Sequence, residues 1–279
     1  MSASHKVVLV TGCSAGGIGF ALCEEFAARG CKVYATARRV QAMEGFKHEN
    51  IQRLQLDVTS EENISTVVQT IVNEEGKIDI VVNNAGTPCH GPLIDVPIDT
   101  VQRVFETNVF SILRVSRAVI PYMASRKSGT IVNIGSIAGE ITTPWSGIYS
   151  ATKACVERFS ESLYMECQPF NISVVHISPG GVTSNIAQNM LTQLALPPDS
   201  LYKPYVDAII MRVNVSQQRA MSAEEFARRV VGAAIAHRPP RYMTLGTSSF
   251  LFAIFKWLPR GWVLGRLWKT FGWRSDKAA

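Results

Sequence analysis

Tyr149 and Lys153 stand four residues apart in Tyr149-Ser150-Ala151-Thr152-Lys153. On a helix this spacing places an ammonium one turn from a phenol. A free phenol, with a pKa of about 10, is a poor proton carrier near neutrality, and a neighbouring cation favours its phenolate. A phenol tuned in this way can hand a proton to a carbonyl oxygen. The plainer reading of the same spacing is a surface pair, so the setting decides. Upstream, the apolar run ending Ile134-Gly135-Ser136 puts a hydroxyl at a strand end, where it can hold a substrate oxygen. Asn108, in Glu106-Thr107-Asn108, reads by itself as a helix-interior amide.

A second chemical signal lies near the start. Thr11-Gly12-Cys13-Ser14-Ala15-Gly16-Gly17-Ile18-Gly19 follows a strand-like run and opens a helix-like one. Glycines there permit a tight turn and close approach of the backbone, and the helix aims its free N–H groups at a pyrophosphate. The next apolar run ends in Arg38-Arg39, with no Asp or Glu from Gly30 to Gln41. An acid at this point would grip the ribose 2′-hydroxyl of NAD, whereas a guanidinium suits the 2′-phosphate of NADP. NADP(H) is therefore the expected cofactor, against the alternative of a solvated basic strand end. With a hydride donor in place, the Tyr149 proton would complete a carbonyl reduction.

These groups need a scaffold that gathers them. Seven short apolar runs, at 6–10, 32–35, 52–56, 79–82, 130–134, 173–177 and 242–245, alternate with helix-period stretches near 18–29, 61–75, 99–125, 148–167 and 223–236. Consecutive β-branched residues mark strands covered on both faces. The alternation predicts an α/β fold: a single doubly wound Rossmann domain over residues 1–246, with a parallel seven-stranded sheet. Residues 183–222 break the rhythm after the sixth strand, a position suited to a substrate lid.

Taken together, these motifs resemble the short-chain dehydrogenase/reductase family over about residues 6–246. The residues that carry the resemblance are the TG…GIG loop, Asp57-Val58, Asn83-Asn84-Ala85-Gly86, Asn108, Ser136, Tyr149/Lys153 and Pro179-Gly180. The resemblance implies that Tyr149 exchanges the proton, Lys153 lowers its pKa and holds the nicotinamide ribose, Ser136 orients the substrate, and Asn108 fixes a water. It further implies that Gly12, Ser14, Gly17, Ile18 and Gly19 meet the phosphates and that Arg38, Asp57 and Val58 meet the adenosine end. Asn83, Ala85 and Gly86 would line the cleft, Pro179, Gly180 and Val182 would complete it, and Thr183 would bond the carboxamide. One departure stands out: four residues, Cys13 to Gly16, separate Gly12 from Gly17 where the family has three, so the loop must bulge. The enlarged loop and the Thr36-Ala37-Arg38-Arg39 strand end also resemble fungal acyl-dihydroxyacetone-phosphate reductases.

Composition narrows the partners. Six scattered cysteines lack metal-ligand spacing, as do the five histidines, so no metal is expected and the thiols should be reduced. The opening residues have no signal-peptide layout. The net charge is +6, but the last 35 residues hold Lys256, Arg260, Arg266, Lys269, Arg274 and Lys277 against Asp276 alone. Basicity confined to the tail speaks against nucleic acid. Four of the five tryptophans also fall there, in apolar stretches too short to span a bilayer. Residues 247–279 thus read as an amphipathic C-terminal tail suited to a membrane or lipid-droplet surface, at the cytosolic face of the endoplasmic reticulum. The alternatives are a cytoplasmic protein whose tail packs on its own domain, or on a second subunit.

The expected activity is NADPH-dependent reduction of a hydrophobic or lipid ketone, foremost 1-acyldihydroxyacetone phosphate by resemblance. Steroid, retinoid and secondary-metabolite carbonyls are the alternatives, and a non-catalytic membrane scaffold is the remote one. A phosphorylated substrate would need a cation, for which Lys203, Arg212 and Arg219 are candidates. The family also implies a homodimer or homotetramer.

Overall fold

The computed structural model describes residues 5–184, 196–215 and 217–274. Residues 185–195 of the expected lid and Lys277 of the tail lie outside them. Seven strands, β1 (Val7–Thr11), β2 (Lys32–Ala37), β3 (Ile51–Gln55), β4 (Ile80–Asn83), β5 (Gly129–Ile134), β6 (Ile172–Pro179) and β7 (Tyr242–Leu245), form one sheet in the order β3-β2-β1-β4-β5-β6-β7. Every neighbouring pair is parallel. Each expected strand is present, with its bounds matched or shifted by a residue or two. The order reverses direction between β1 and β4, which opens a crevice at the strands' carboxyl ends.

The strands alternate their side chains between two apolar layers. Val8, Val10, Val33 and Val82 face α1 (Ile18–Ala28) and, through Phe226, Val230 and Val231, the helix Ala223–Ala234. Val7, Leu9, Val81 and Ile131 face α2 (Glu61–Glu75) and the later helix Ser111–Ser125. Helix starts follow local chemistry: Ser60 Oγ accepts the Asn63 N–H at 3.2 Å to begin α2, and Gly76, at φ 71°, ends it.

The long helix expected over 99–125 is in fact three pieces. α3 (Ile98–Phe105) passes through a π-turn at Glu106–Phe110 into α4 (Ser111–Ser125). The short α5 (Ile137–Glu140) precedes α6 (Gly147–Glu166), and within the expected lid α7 covers Val206–Val215. α8 (Ala223–Ala234) then leads to β7.

The tail folds into α9 (Ser249–Phe255) and α10 (Arg260–Phe271). It packs back on the domain: Phe255, Val263 and Leu267 bury against Ile141, Lys256 pairs with Glu140 at 3.0 Å, and Trp145 Nε1 donates to the Phe271 carbonyl at 2.6 Å. The other side of the tail faces solvent, with Trp257 90% exposed and Phe250 79%. Among the described residues no helix is long and apolar enough to cross a membrane.

Candidate active site

One elongated cavity of about 1300 Å³ runs across the carboxyl ends of the strands, from Gly12 and Arg38 to Tyr149 and Arg212. That exceeds the usual space for a single drug-sized ligand. At its first end the glycine loop absorbs its extra residue in a turn. Gly17 N donates to Ser14 O at 3.1 Å, and Gly16 takes the left-handed conformation at φ 73°. The N–H of Cys13 is committed to Thr36 O and that of Ala15 to Ala42 O, at 2.9 and 2.8 Å, so neither is a phosphate donor. The N–H groups of Ser14 and Gly16 and those at the start of α1, whose first turn carries no acid, remain as donors among the described residues. Gly12 is required twice over: its φ is 73°, and a β-carbon there would lie 2.7 Å from the Ala85 Cα.

Along the same wall lie Ser14, Gly17, Ile18, Arg38, Asp57, Val58, Ala85 and Gly86. Arg38 is exposed at the rim. Burial opposes ionisation of Asp57, but hydrogen bonds from Thr59 N and Oγ1 and the Arg38 charge outweigh it and hold the carboxyl below its usual range. Asp57 is thus occupied as an acceptor by Thr59, and Arg38 keeps its guanidinium toward the cavity mouth. An acid-free helix start and an exposed rim guanidinium that forms no ion pair among the described residues fit a dinucleotide carrying an extra phosphate.

At the other end, β5 delivers Ser136 and α6 delivers Tyr149 and Lys153, all lining the cavity. Ser136 Oγ accepts the Ala138 N–H at 3.1 Å, which fixes the hydroxyl at the start of α5. Burial raises the Tyr149 phenol, opposed by its hydrogen bond with Ser136 and by the charge of Arg212. Lys153 lies on the same face of α6 as Tyr149. Its Nζ donates to the Ile134 carbonyl at 2.8 Å and lies 5.7 Å from the Tyr149 ring centroid. Burial pulls its own pKa down to about 8. Arg212 is a second cation whose charge favours the phenolate.

Pro179, Gly180 and Val182 also line the cavity, but four expected residues do not. Asn83, the last residue of β4, is buried and donates to Asn133 Oδ1 at 2.8 Å; Asn84, one residue on, faces the cleft and ties down the loop through Thr11 O and Gly12 O, both at 2.9 Å. Asn108 is held on both sides: its Oδ1 accepts the Thr87 N–H, and its Nδ2 donates to Thr87 O and Thr152 Oγ1. Its amide locks a turn, while its Oδ1 keeps a second lone pair that could accept from a water. Thr183 turns its hydroxyl to the Met221 carbonyl at 3.3 Å, drawn there by the bridge between its own N–H and that carbonyl. Gly19 packs inside the loop, where a β-carbon would meet Asn84 Nδ2 and Gly12 O at 2.5 Å.

The cavity gains residues that local sequence leaves undistinguished. His90 stacks near Tyr149, with centroids 6.3 Å apart, and burial with the Arg212 charge pulls its pKa down to about 3, so it is neutral. Of the three candidate cations only Arg212 lines the cavity; Lys203 and Arg219 are exposed elsewhere. The tail supplies Leu251, Phe252, Phe255, Leu267 and Phe271. Its interrupted apolar runs are the only sequence signal for that wall.

Residues 6–195 match the family model described as short chain dehydrogenase. An NADPH-dependent 1-acyldihydroxyacetone phosphate reductase of Schizosaccharomyces pombe is 36% identical over 80% of this chain and 76% of its own. The short-chain dehydrogenase ptmH of Penicillium ochrochloron is 38% identical over 92% of this chain and 94% of its own. Among solved structures, a short-chain dehydrogenase from Streptomyces avermitilis superposes with a TM-score of 0.80 at 30% identity, over 97% of this chain and 98% of that one. With a glycine loop, a phenol and a lysine arranged along one cleft of a seven-stranded parallel sheet, the chain belongs to the short-chain dehydrogenase family, whose members are NAD(P)-dependent oxidoreductases.

Proposed function

We propose that the protein reduces the carbonyl of a lipid-like substrate to a secondary alcohol with NADPH, foremost 1-acyldihydroxyacetone phosphate to 1-acylglycerol 3-phosphate. The observation that carries this reading is the single cavity joining the α1 start and Arg38 to Ser136, Tyr149 and an apolar tail-built wall. NADPH, when bound, supplies the hydride for the carbonyl carbon. Gly12, Ser14, Gly17 and Ile18 would hold its pyrophosphate, and Arg38 its 2′-phosphate.

Ser136 holds the carbonyl oxygen beside the Tyr149 hydroxyl. Tyr149 then gives that oxygen its proton, and the resulting phenolate is stabilised by the Ser136 hydrogen bond and the Arg212 charge. Burial favours the protonated phenol, the form that donates in a reduction. Phe252, Phe255, Leu267 and Phe271 offer an acyl chain an apolar surface. The S. pombe relative supports the phospholipid-precursor reading.

A second reading, reduction of a secondary-metabolite ketone, is favoured by the fuller coverage of ptmH. For the outward tail we propose a lipid surface, at the endoplasmic reticulum or a lipid droplet, met by Trp257, Trp262 and Phe250 among cations. NADPH oxidation by purified protein with 1-palmitoyl-dihydroxyacetone phosphate, a ketosteroid and retinal tests the first reading. Turnover of the phosphorylated ketone at least tenfold faster is expected; turnover of only the other two overturns it.

A further inference from the structure

α7 turns Ala208, Ile209 and Val213 inward, all buried. Arg212 falls on this same inner stripe, where a leucine would pack at no electrostatic cost. A cation placed against an apolar layer loses hydration and persists where something compensates. The compensation within the chain is partial. Arg212 Nε donates to Thr143 Oγ1 at 2.6 Å, and its guanidinium lies 5.6 Å from the Phe271 ring centroid. Among the described residues no carboxylate lies within ion-pair distance of it.

The acids that line the cavity belong to other partners: Asp57 is held by Thr59, and Glu106 accepts from Arg114 at 2.6 Å. The reactive end therefore carries uncompensated positive charge, against neutral His90 and a protonated Tyr149. An arginine whose Nη groups lack a carboxylate is a ready fork for an oxyanion.

We propose that Arg212 is the specificity-determining residue that binds a phosphate monoester carried next to the substrate carbonyl. This deepens the phospholipid-precursor reading and rests on it for the identity of the ketone. Arg212 and Tyr149 line the same cavity, so an anion seated on the guanidinium shares that cavity with the reacting carbonyl. Thr143, joined to Arg212, braces the fork from the segment after α5. A neutral ketone leaves the guanidinium unmatched, which disfavours it.

The test uses the full chain with saturating NADPH, comparing 1-palmitoyl-dihydroxyacetone phosphate with its dephosphorylated counterpart. Wild type should prefer the phosphorylated ketone by about 30-fold or more in kcat/KM. Arg212→Gln should bring that ratio to within about threefold, the change in ratio coming through KM while kcat falls alike for both ketones, and Arg212→Lys should retain an intermediate preference. An unchanged ratio in an Arg212→Gln protein that still binds NADPH overturns the proposal. Should that variant not fold, an unchanged ratio in Arg212→Lys overturns it equally.

Glycerol 3-phosphate, titrated by calorimetry into the NADP⁺ complex, separates the two proposals. If neither ketone turns over but glycerol 3-phosphate binds wild type at least tenfold tighter than Arg212→Gln, the anion site stands and the substrate assignment falls. Equal binding by both proteins, or none by wild type, removes Arg212 as a phosphate reader.

Discussion

Tyr149 sits under opposing influences: burial holds its proton on, while the Ser136 hydrogen bond and Arg212 ease its departure. Tyr149→Phe keeps the ring and its packing but removes the proton. Turnover should fall by about 10²–10⁴-fold while NADPH affinity, followed by fluorescence titration, stays within about twofold. Loss of cofactor binding instead would make the hydroxyl a structural group. At the far end of the cavity, Arg38→Asp exchanges a favourable charge for a repulsive one. The dissociation constant for NADPH should rise by about 100-fold, or roughly 2.7 kcal/mol, with NADH changed far less. Equal weakening of both cofactors would take Arg38 away from the 2′-phosphate.

At the scale of elements, β6 carries a buried histidine into the sheet. His176 Nδ1 lies 3.3 Å from Ser160 Oγ on α6, and Nε2 lies 3.1 Å from Ser178 Oγ. Burial, then the charges of Lys153, Lys256 and Arg158, pull its pKa down to about 4. The folded state refuses a proton that the unfolded chain accepts from about pH 6.5 downward. Stability from this residue is therefore complete above about pH 6.5 and lost as pH falls toward 4, by about 3 kcal/mol. Denaturant unfolding at pH 7.5 and pH 4.5 should show a smaller acid loss for His176→Gln than for wild type. The same acid loss in both would assign the effect to other groups.

For the whole molecule, the tail is wall and surface at once. Deleting residues 247–279 removes Phe255, Val263 and Leu267 from Ile141 and leaves Trp145 Nε1 and Glu140 without their partners. Each buried side chain contributes about 1.5–3 kcal/mol, so the truncated chain should melt well below the full one and bind substrate poorly. An unchanged melting temperature with intact kinetics would mean the tail is an appendage. The exposed side is separable. Trp257→Ser with Phe250→Ser should leave the melting temperature within about 2 °C, because both side chains already face water. Binding to anionic phospholipid vesicles, measured by co-sedimentation, should fall at least fivefold. Unaltered vesicle binding would remove the lipid-surface proposal.

Much of this protein was legible one residue after another. Apolar β-branched runs mark the strands, because a parallel strand buried on both faces needs them. The glycine loop and the four-residue Tyr149–Lys153 spacing announce themselves, because local backbone geometry sets turns and helix faces. Even the loop's extra residue could be foreseen as a bulge. Choices between adjacent or distant side chains were settled only by packing in three dimensions. The pleat buries Asn83 and turns Asn84 to the cleft, and the π-turn region commits Asn108 to Thr87 and Thr152. Packing α7 against α10 and Thr143 selects Arg212 from three basic candidates, and α9 and α10 become cavity wall by meeting Ile141 and Trp145. Spacing along a chain encodes only what neighbours within a turn or a strand can do. Burial, and with it the charge that acts on the phenol, depends on residues more than sixty positions away.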